Sequence, residues 1–307
     1  MLYHILILPL IATYSFIQFG MCKEEYSQAC DEAKYGYVCL FEDICGQAPM
    51  NYSYYGARSP YLMDGENVKE GEFPSFAQLR IRLDSTTVRH CSGVIISDYH
   101  IVTAGHCVRS AKSGIVNADR VYVSIGTVET LIRRKGYKSL KQAENICTHP
   151  DINGNHDMAV VTLKDRIHFD RNVQPACWTF KTSKIAMEGP EAACYQVGAG
   201  RIREPSPEIP KNEMTKPIVQ KLRVERYTIN RGDAIMTFIH PKPSVGSSCP
   251  GDSGGPTLCF DHLTRRWRVV AVLSSGYCSH GTWFYNSRLD SDLARLTSEE
   301  CLPTTIN

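Results

Sequence analysis

A net charge of only +2 over 307 residues leaves no surplus of either sign. Polyanion binding draws on clustered Lys and Arg, so neither nucleic acid nor an anionic membrane is expected as a partner. Long apolar runs are also missing. The stretch Ile5 to Phe19 is mostly apolar but too short to cross a bilayer, and it ends in small residues near Gly20 and Cys22. No Lys or Arg precedes it, so the terminal amine is its only positive charge; residues 1–22 are read as a cleaved signal peptide. Residues 23–61 show no sustained period of 2 or 3.6, which excludes a sizeable core there. No cluster of carboxylates and carbonyls suits a calcium loop, and no metal or cofactor is expected. The basic stretch Arg133, Arg134, Lys135, Lys138 and Lys141 reads as a solvated loop, and Arg231-Gly232-Asp233 as a plain turn.

Cysteine, by contrast, is plentiful. Thirteen residues point to an oxidising compartment and to a secreted, extracellular protein. Asn51-Tyr52-Ser53 is an N-glycosylation acceptor. The chemistry concentrates in Cys249-Pro250-Gly251-Asp252-Ser253-Gly254-Gly255-Pro256. A serine hydroxyl is a poor nucleophile unless a base takes its proton and donors stabilise the oxyanion its attack creates. Glycines on both sides of Ser253 let the backbone approach a reacting carbonyl, so the amides of Gly251 and Ser253 can point at one spot. A base and an orienting carboxylate are available in Val102-Thr103-Ala104-Gly105-His106-Cys107 and in His156-Asp157-Met158-Ala159-Val160-Val161. The order His106, Asp157, Ser253 is one of the three orders in which unrelated folds assemble a catalytic triad.

These three motifs resemble Thr-Ala-Ala-His-Cys, Asp-Ile-Ala-Leu and Gly-Asp-Ser-Gly-Gly-Pro of the trypsin-like, chymotrypsin-fold serine proteases, and the resemblance runs from about Leu62 to about Leu296. It implies an all-β fold of two six-stranded antiparallel β-barrels, with the site in the cleft between them. Strands are read at Phe76 to Leu83, Val94 to Ile96, Tyr99 to Val102 and Met158 to Leu163. A short C-terminal helix is expected over Asp290 to Leu296, where Leu289, Leu293 and Leu296 are spaced for one buried face. The resemblance also implies a pro-segment over 23–61 and a protease domain over 62–307. It pairs Cys91 with Cys107, Cys194 with Cys259 and Cys249 with Cys278, and ties Cys177 to one of Cys30, Cys39 or Cys45. Cys147 and Cys301 receive no partner.

Family zymogens are cut after Arg or Lys to free an Ile amine that pairs with the Asp before the nucleophile, here Asp252. This chain departs from that pattern, because Tyr61 precedes Leu62. Either a chymotrypsin-like protease cuts after Tyr61 and Leu62 takes the place of Ile, or maturation differs. The resemblance maps the specificity pocket to Ser247 at its base, Ser274 and Gly276 on one wall, and Trp283 on the other, and implies that the Ser274 hydroxyl hydrogen-bonds the triad carboxylate, Asp157. Trypsins carry Asp at the base; with Ser247 there, a Lys or Arg side chain lacks a counter-ion, so a chymotrypsin-like or small-residue preference is expected. If Tyr285 takes the family's aromatic position at the pocket floor, Trp283 fills much of the pocket. If the loop carries an extra pair of residues, Gly281 lines it and the pocket stays open. The expected function is a monomeric serine endopeptidase acting on protein or peptide substrates, with protein inhibitors as a further class of partner. The alternative is a catalytically silent protease-fold protein with a blocked pocket.

Overall fold

The computed structural model describes residues 44–47, 66–110, 114–131, 140–149, 156–178, 194–201, 219–224, 227–229, 235–238, 248–261, 264–279 and 284–289. In the first half these form β1 (Glu66–Asn67), β2 (Phe76–Arg82), β3 (Val88–Ile95), β4 (His100–Thr103), β5 (Arg109–Ser110), β6 (Gly114–Ile115), β7 (Val121–Ile125), β8 (Lys141–Thr148) and β9 (Ala159–Leu163). Six of them close into a barrel in the order β2-β3-β4-β9-β8-β7. The second half supplies β10 (Cys194–Gly198), β11 (Gln220–Val224), β12 (Tyr227–Ile229), β13 (Ile235–Phe238), β14 (Pro256–Asp261), β15 (Arg266–Gly276) and β16 (Phe284–Arg288). With β1 they make an eight-stranded sheet in the order β1-β11-β10-β14-β15-β16-β13-β12. A ladder closing this sheet into a second barrel does not occur among the described residues. The expected helix over Asp290 to Leu296 lies outside them, although Leu289 at its threshold is buried.

The apolar runs of the sequence become intelligible once both strand faces are counted. Successive side chains of a strand point to opposite faces. Ile95, Ile101, Ala159 and Val161 fill the barrel with Leu79, Ile81 and Val123. Their immediate neighbours Val94, Val102 and Val160 face the other way and pack with Val197, Leu258, Val269 and Val272 of the second sheet. Each strand at this seam is therefore buried on both sides, so it reads as a continuous apolar run rather than an alternating one. Fully burying one such aliphatic side chain contributes about 1.5–3 kcal/mol. The seam is thus rigid, and the segments emerging from it, at Thr103 and ahead of Ala159, carry the candidate site.

Part of the cysteine-rich segment is fastened to the back of the second sheet. Cys45 is disulfide-bonded to Cys177. Gly46 donates to the Pro175 carbonyl at 2.9 Å and accepts from the Trp267 amide at 2.7 Å. A Cβ at Gly46 would sit 2.1 Å from the Trp267 carbonyl oxygen, so only glycine allows the chain to lie this close.

One buried imidazole makes the first barrel acid-sensitive. His100 opens β4, bonded through Nδ1 to Ser97 Oγ at 2.6 Å, and burial pushes its pKa down to about 4. An unfolded histidine titrates near 6.5, so between that pH and about 4 only the unfolded chain takes up the proton. Stability should fall with pH across this window, by about 3 kcal/mol from this group, and be unaffected by it above the window. His90, also lowered by burial and then by Arg80, adds in the same sense. Thermal unfolding of His100→Gln from pH 7 to pH 4 should show a shallower decline than that of the wild type; parallel curves would contradict the assignment.

Candidate active site

β4 ends at Thr103 and the chain turns through a single 3-10 turn, Gly105–Val108, that carries His106. The turn is stapled to β3 by Cys91–Cys107. Facing it, Asp157 lies just ahead of β9. Its Oδ1 accepts the His106 backbone N–H at 2.7 Å, and its Oδ2 accepts His106 Nδ1–H at 2.7 Å. Oδ2 also accepts the Ser274 hydroxyl at 2.7 Å. Burial alone would raise the carboxyl pKa, but the hydrogen bonds and charge of His106 and the hydroxyl of Ser274 outweigh it, and the group is held below the usual carboxylate range. With Nδ1 committed to the carboxylate, the neutral ring carries its lone pair on Nε2. The His106 side chain is 43% exposed, so that lone pair is accessible.

Ser274 owes its direction to a β-bulge. In the β15–β16 ladder Leu273 pairs with Asn286 and Ser275 with Tyr285, which leaves Ser274 as the extra residue. A bulge re-aims one side chain out of the strand's alternation, and here it turns the hydroxyl onto Asp157.

The loop carrying Ser253 is clamped from both halves of the molecule. The Ser253 carbonyl accepts the Ser92 amide at 2.8 Å and lies 3.8 Å from Cys107 Sγ, while that sulfur is 3.9 Å from His106 Nε2. Ser253 and the imidazole therefore converge on the same disulfide. Gly254 donates to the Leu273 carbonyl at 2.7 Å, and Asp252 donates to that of Cys249 at 3.0 Å. Gly251 (φ 101°) and Gly254 (φ 79°) adopt a backbone that favours glycine. The Ser92 hydroxyl donates to the Gly251 carbonyl at 3.0 Å, and Arg201 donates to that of Pro250 at 3.0 Å. These bonds fix the peptide planes on both sides of Gly251. Asp252 is fully buried, its carboxylate accepting the amides of Gly200 at 2.7 Å and Cys249 at 2.9 Å.

The second half carries the disulfides Cys194–Cys259 and Cys249–Cys278. Cys147 is disulfide-bonded as well. Tyr61, Leu62, Asn51, Ser247 and Trp283 lie outside the described residues. The wall residue Gly276 meets Ser248: a Cβ there would fall 1.8 Å from Ser248 Oγ, and Cys278 donates to the Ser248 carbonyl at 2.9 Å. Cys91, His106 and Cys107 bring three potential metal donors together, but both sulfurs share one disulfide and neither is a thiolate, so the set does not fit a metal.

Sequence reasoning missed Ser92 and Arg89. Both lie within two residues of Cys91, yet the partners of their side chains are 17 to 159 residues away, and no local pattern announces them.

A family model described as Trypsin matches residues 62–287. An ovochymase from Halocynthia roretzi is 28% identical over 242 residues, covering 76% of this chain and 14% of its own length. The serine protease Hayan from Drosophila melanogaster is 25% identical over 248 residues, covering 76% of this chain and 38% of its own. The chain thus spans well under half the length of these curated relatives. Among the described residues no helix is long and apolar enough to cross a membrane.

Proposed function

Because the chain belongs to the trypsin family of serine proteases, we propose that it is a secreted endopeptidase that hydrolyses peptide bonds through an acyl-enzyme on Ser253. The observation that carries this reading is the two-oxygen grip of Asp157 on His106, which leaves the Nε2 lone pair to act as the base, 3.9 Å from the Cys107 sulfur that the Ser253 carbonyl also approaches. In the proposed cycle His106 Nε2 takes the Ser253 proton and Oγ attacks the substrate carbonyl. The Gly251 and Ser253 amides receive the oxyanion, and the imidazolium returns its proton to the leaving amine. Water then repeats the sequence on the ester. Preference falls on chymotrypsin-like or small side chains, since Ser247 offers no carboxylate for Lys or Arg.

We read 1–22 as a signal peptide, 23–61 as a pro-segment glycosylated at Asn51, and 62–307 as a monomeric protease domain. Activation is proposed to free the Leu62 amine by cleavage after Tyr61, so that it reaches Asp252.

The test is covalent. The protein cut after Tyr61 is treated with a fluorophosphonate probe, beside Ser253→Ala. Labelling of the wild type and none of the variant is expected. Label persisting in Ser253→Ala, or absent from the cut wild type, would remove the hydrolase reading and leave a silent protease-fold protein.

A further inference from the structure

His106 is gripped from two directions. Its amide and its ring are held by the Asp157 carboxylate, as described above. Its carbonyl is held from the opposite side by β3. A single guanidinium nitrogen, Arg89 Nη1, donates to the carbonyls of His106, Cys107 (3.2 Å) and Arg109 (2.8 Å). These carbonyls end the 3-10 turn, which is also capped by the Arg109 amide donating to the His106 carbonyl. The terminal carbonyls of a helical turn carry partial negative charge and favour a cation. Arg89 is half-buried, and burial lowers its pKa. A turn of four residues has little rigidity of its own. Its exit is fixed from outside, and the fixing group is a full positive charge.

We infer that Arg89 is a positioning residue for the reaction proposed above: it sets where the His106 imidazole sits and, through its charge, how readily that imidazole takes a proton. The turn packs against β3 and β5. The charged and titratable groups on the surrounding elements are Arg89 and His90 on β3, Arg109 on β5, His156 and Asp157 ahead of β9, and Asp252 in the nucleophile loop. Of these, Asp157 and Arg89 bond to His106 itself by side chain. They carry opposite charges, so loss of Arg89 leaves Asp157 less opposed and favours the imidazolium.

The experiment compares Arg89→Met, which keeps the stem and loses the charge, with Arg89→Lys, which keeps the charge and loses the planar fork. In the activated enzyme Arg89→Met should lower kcat about tenfold with KM within about twofold. The acid limb of kcat/KM should move to higher pH by about half a unit. Arg89→Lys should recover the position of the acid limb and part of kcat. The same shift is read without turnover from the NMR titration of His106, so it can be scored even if the wild type proves inactive; inactivity of the wild type would sink the hydrolase reading alone. An acid limb and imidazole titration unmoved in a folded Arg89→Met would overturn the inference. So would a kcat loss that tracks lowered thermal stability and is not recovered by Lys.

Discussion

Asp157→Asn is expected to cut kcat about 10⁴-fold at neutral pH while leaving KM within about threefold. Both carboxylate oxygens are occupied by His106 donors, and one also receives Ser274. An amide has one acceptor and one donor end. Whichever way the substituted side chain turns, its NH₂ faces an N–H or the Ser274 hydroxyl. The least unfavourable escape is for the imidazole to change tautomer, moving its proton to Nε2. That nitrogen then has no lone pair for the Ser253 proton, and the base is lost without loss of its position. The rate of fluorophosphonate modification should fall on the same scale as kcat, since both need a deprotonated Ser253. A change under about tenfold, in a protein whose melting temperature is near the wild type's, would mean that Asp157 does not set the tautomer.

Gly254→Ala should both destabilise the protein and abolish its activity. The residue sits at φ 79°, and its Cβ would lie 2.2 Å from Thr103 Oγ1, 2.3 Å from the Ser92 carbonyl and 2.8 Å from the Ala104 amide. Two of these atoms are backbone and cannot turn aside. Left-handed backbone strain costs about 1–2 kcal/mol and overpacking about 1–3 kcal/mol. Together they correspond to a fall in melting temperature of roughly 10 °C for a domain of this size. Gly114→Ala is the matched control: φ is 69°, but nothing lies within 4 Å of its Cβ. It should show the strain alone, a shift of a few degrees. Activity should vanish only in Gly254→Ala, because Thr103 and Ser92 hold the nucleophile loop against the turn that bears His106. Equal shifts in the two variants would show that the close approach contributes nothing.

The candidate triad was legible because each member sits in a short segment whose neighbours serve the same purpose. Ala104 and Cys107 bracket His106, an apolar strand follows Asp157, and glycines surround Ser253. The strands of the first barrel were legible for a similar reason, with β2 at Phe76–Arg82 and β9 at Ala159–Leu163 close to the runs read from sequence. What stayed hidden depends on register or on distance. The hydrogen bond of Ser274 to Asp157 was implied by the resemblance, but the bulge that produces it is set by the pairing of β15 with β16, which no single strand encodes. The contact of Gly276 with Ser248 arises from how two segments meet across the Cys249–Cys278 bond. Three cysteines competed for Cys177, and the fold joins it to Cys45, beside which Gly46 lies against Trp267. Arg89 reads as an ordinary charged strand residue until the fold brings three carbonyls to its guanidinium.

The bond between Cys45 and Cys177 turns 132 residues of separation into a covalent ring. A nick anywhere on that ring, Tyr61 included, opens it without dividing the molecule, which comes apart into two pieces only under a reductant. Whatever lies ahead of the nick stays tethered to the domain it leaves behind, at an effective concentration that dilution cannot lower.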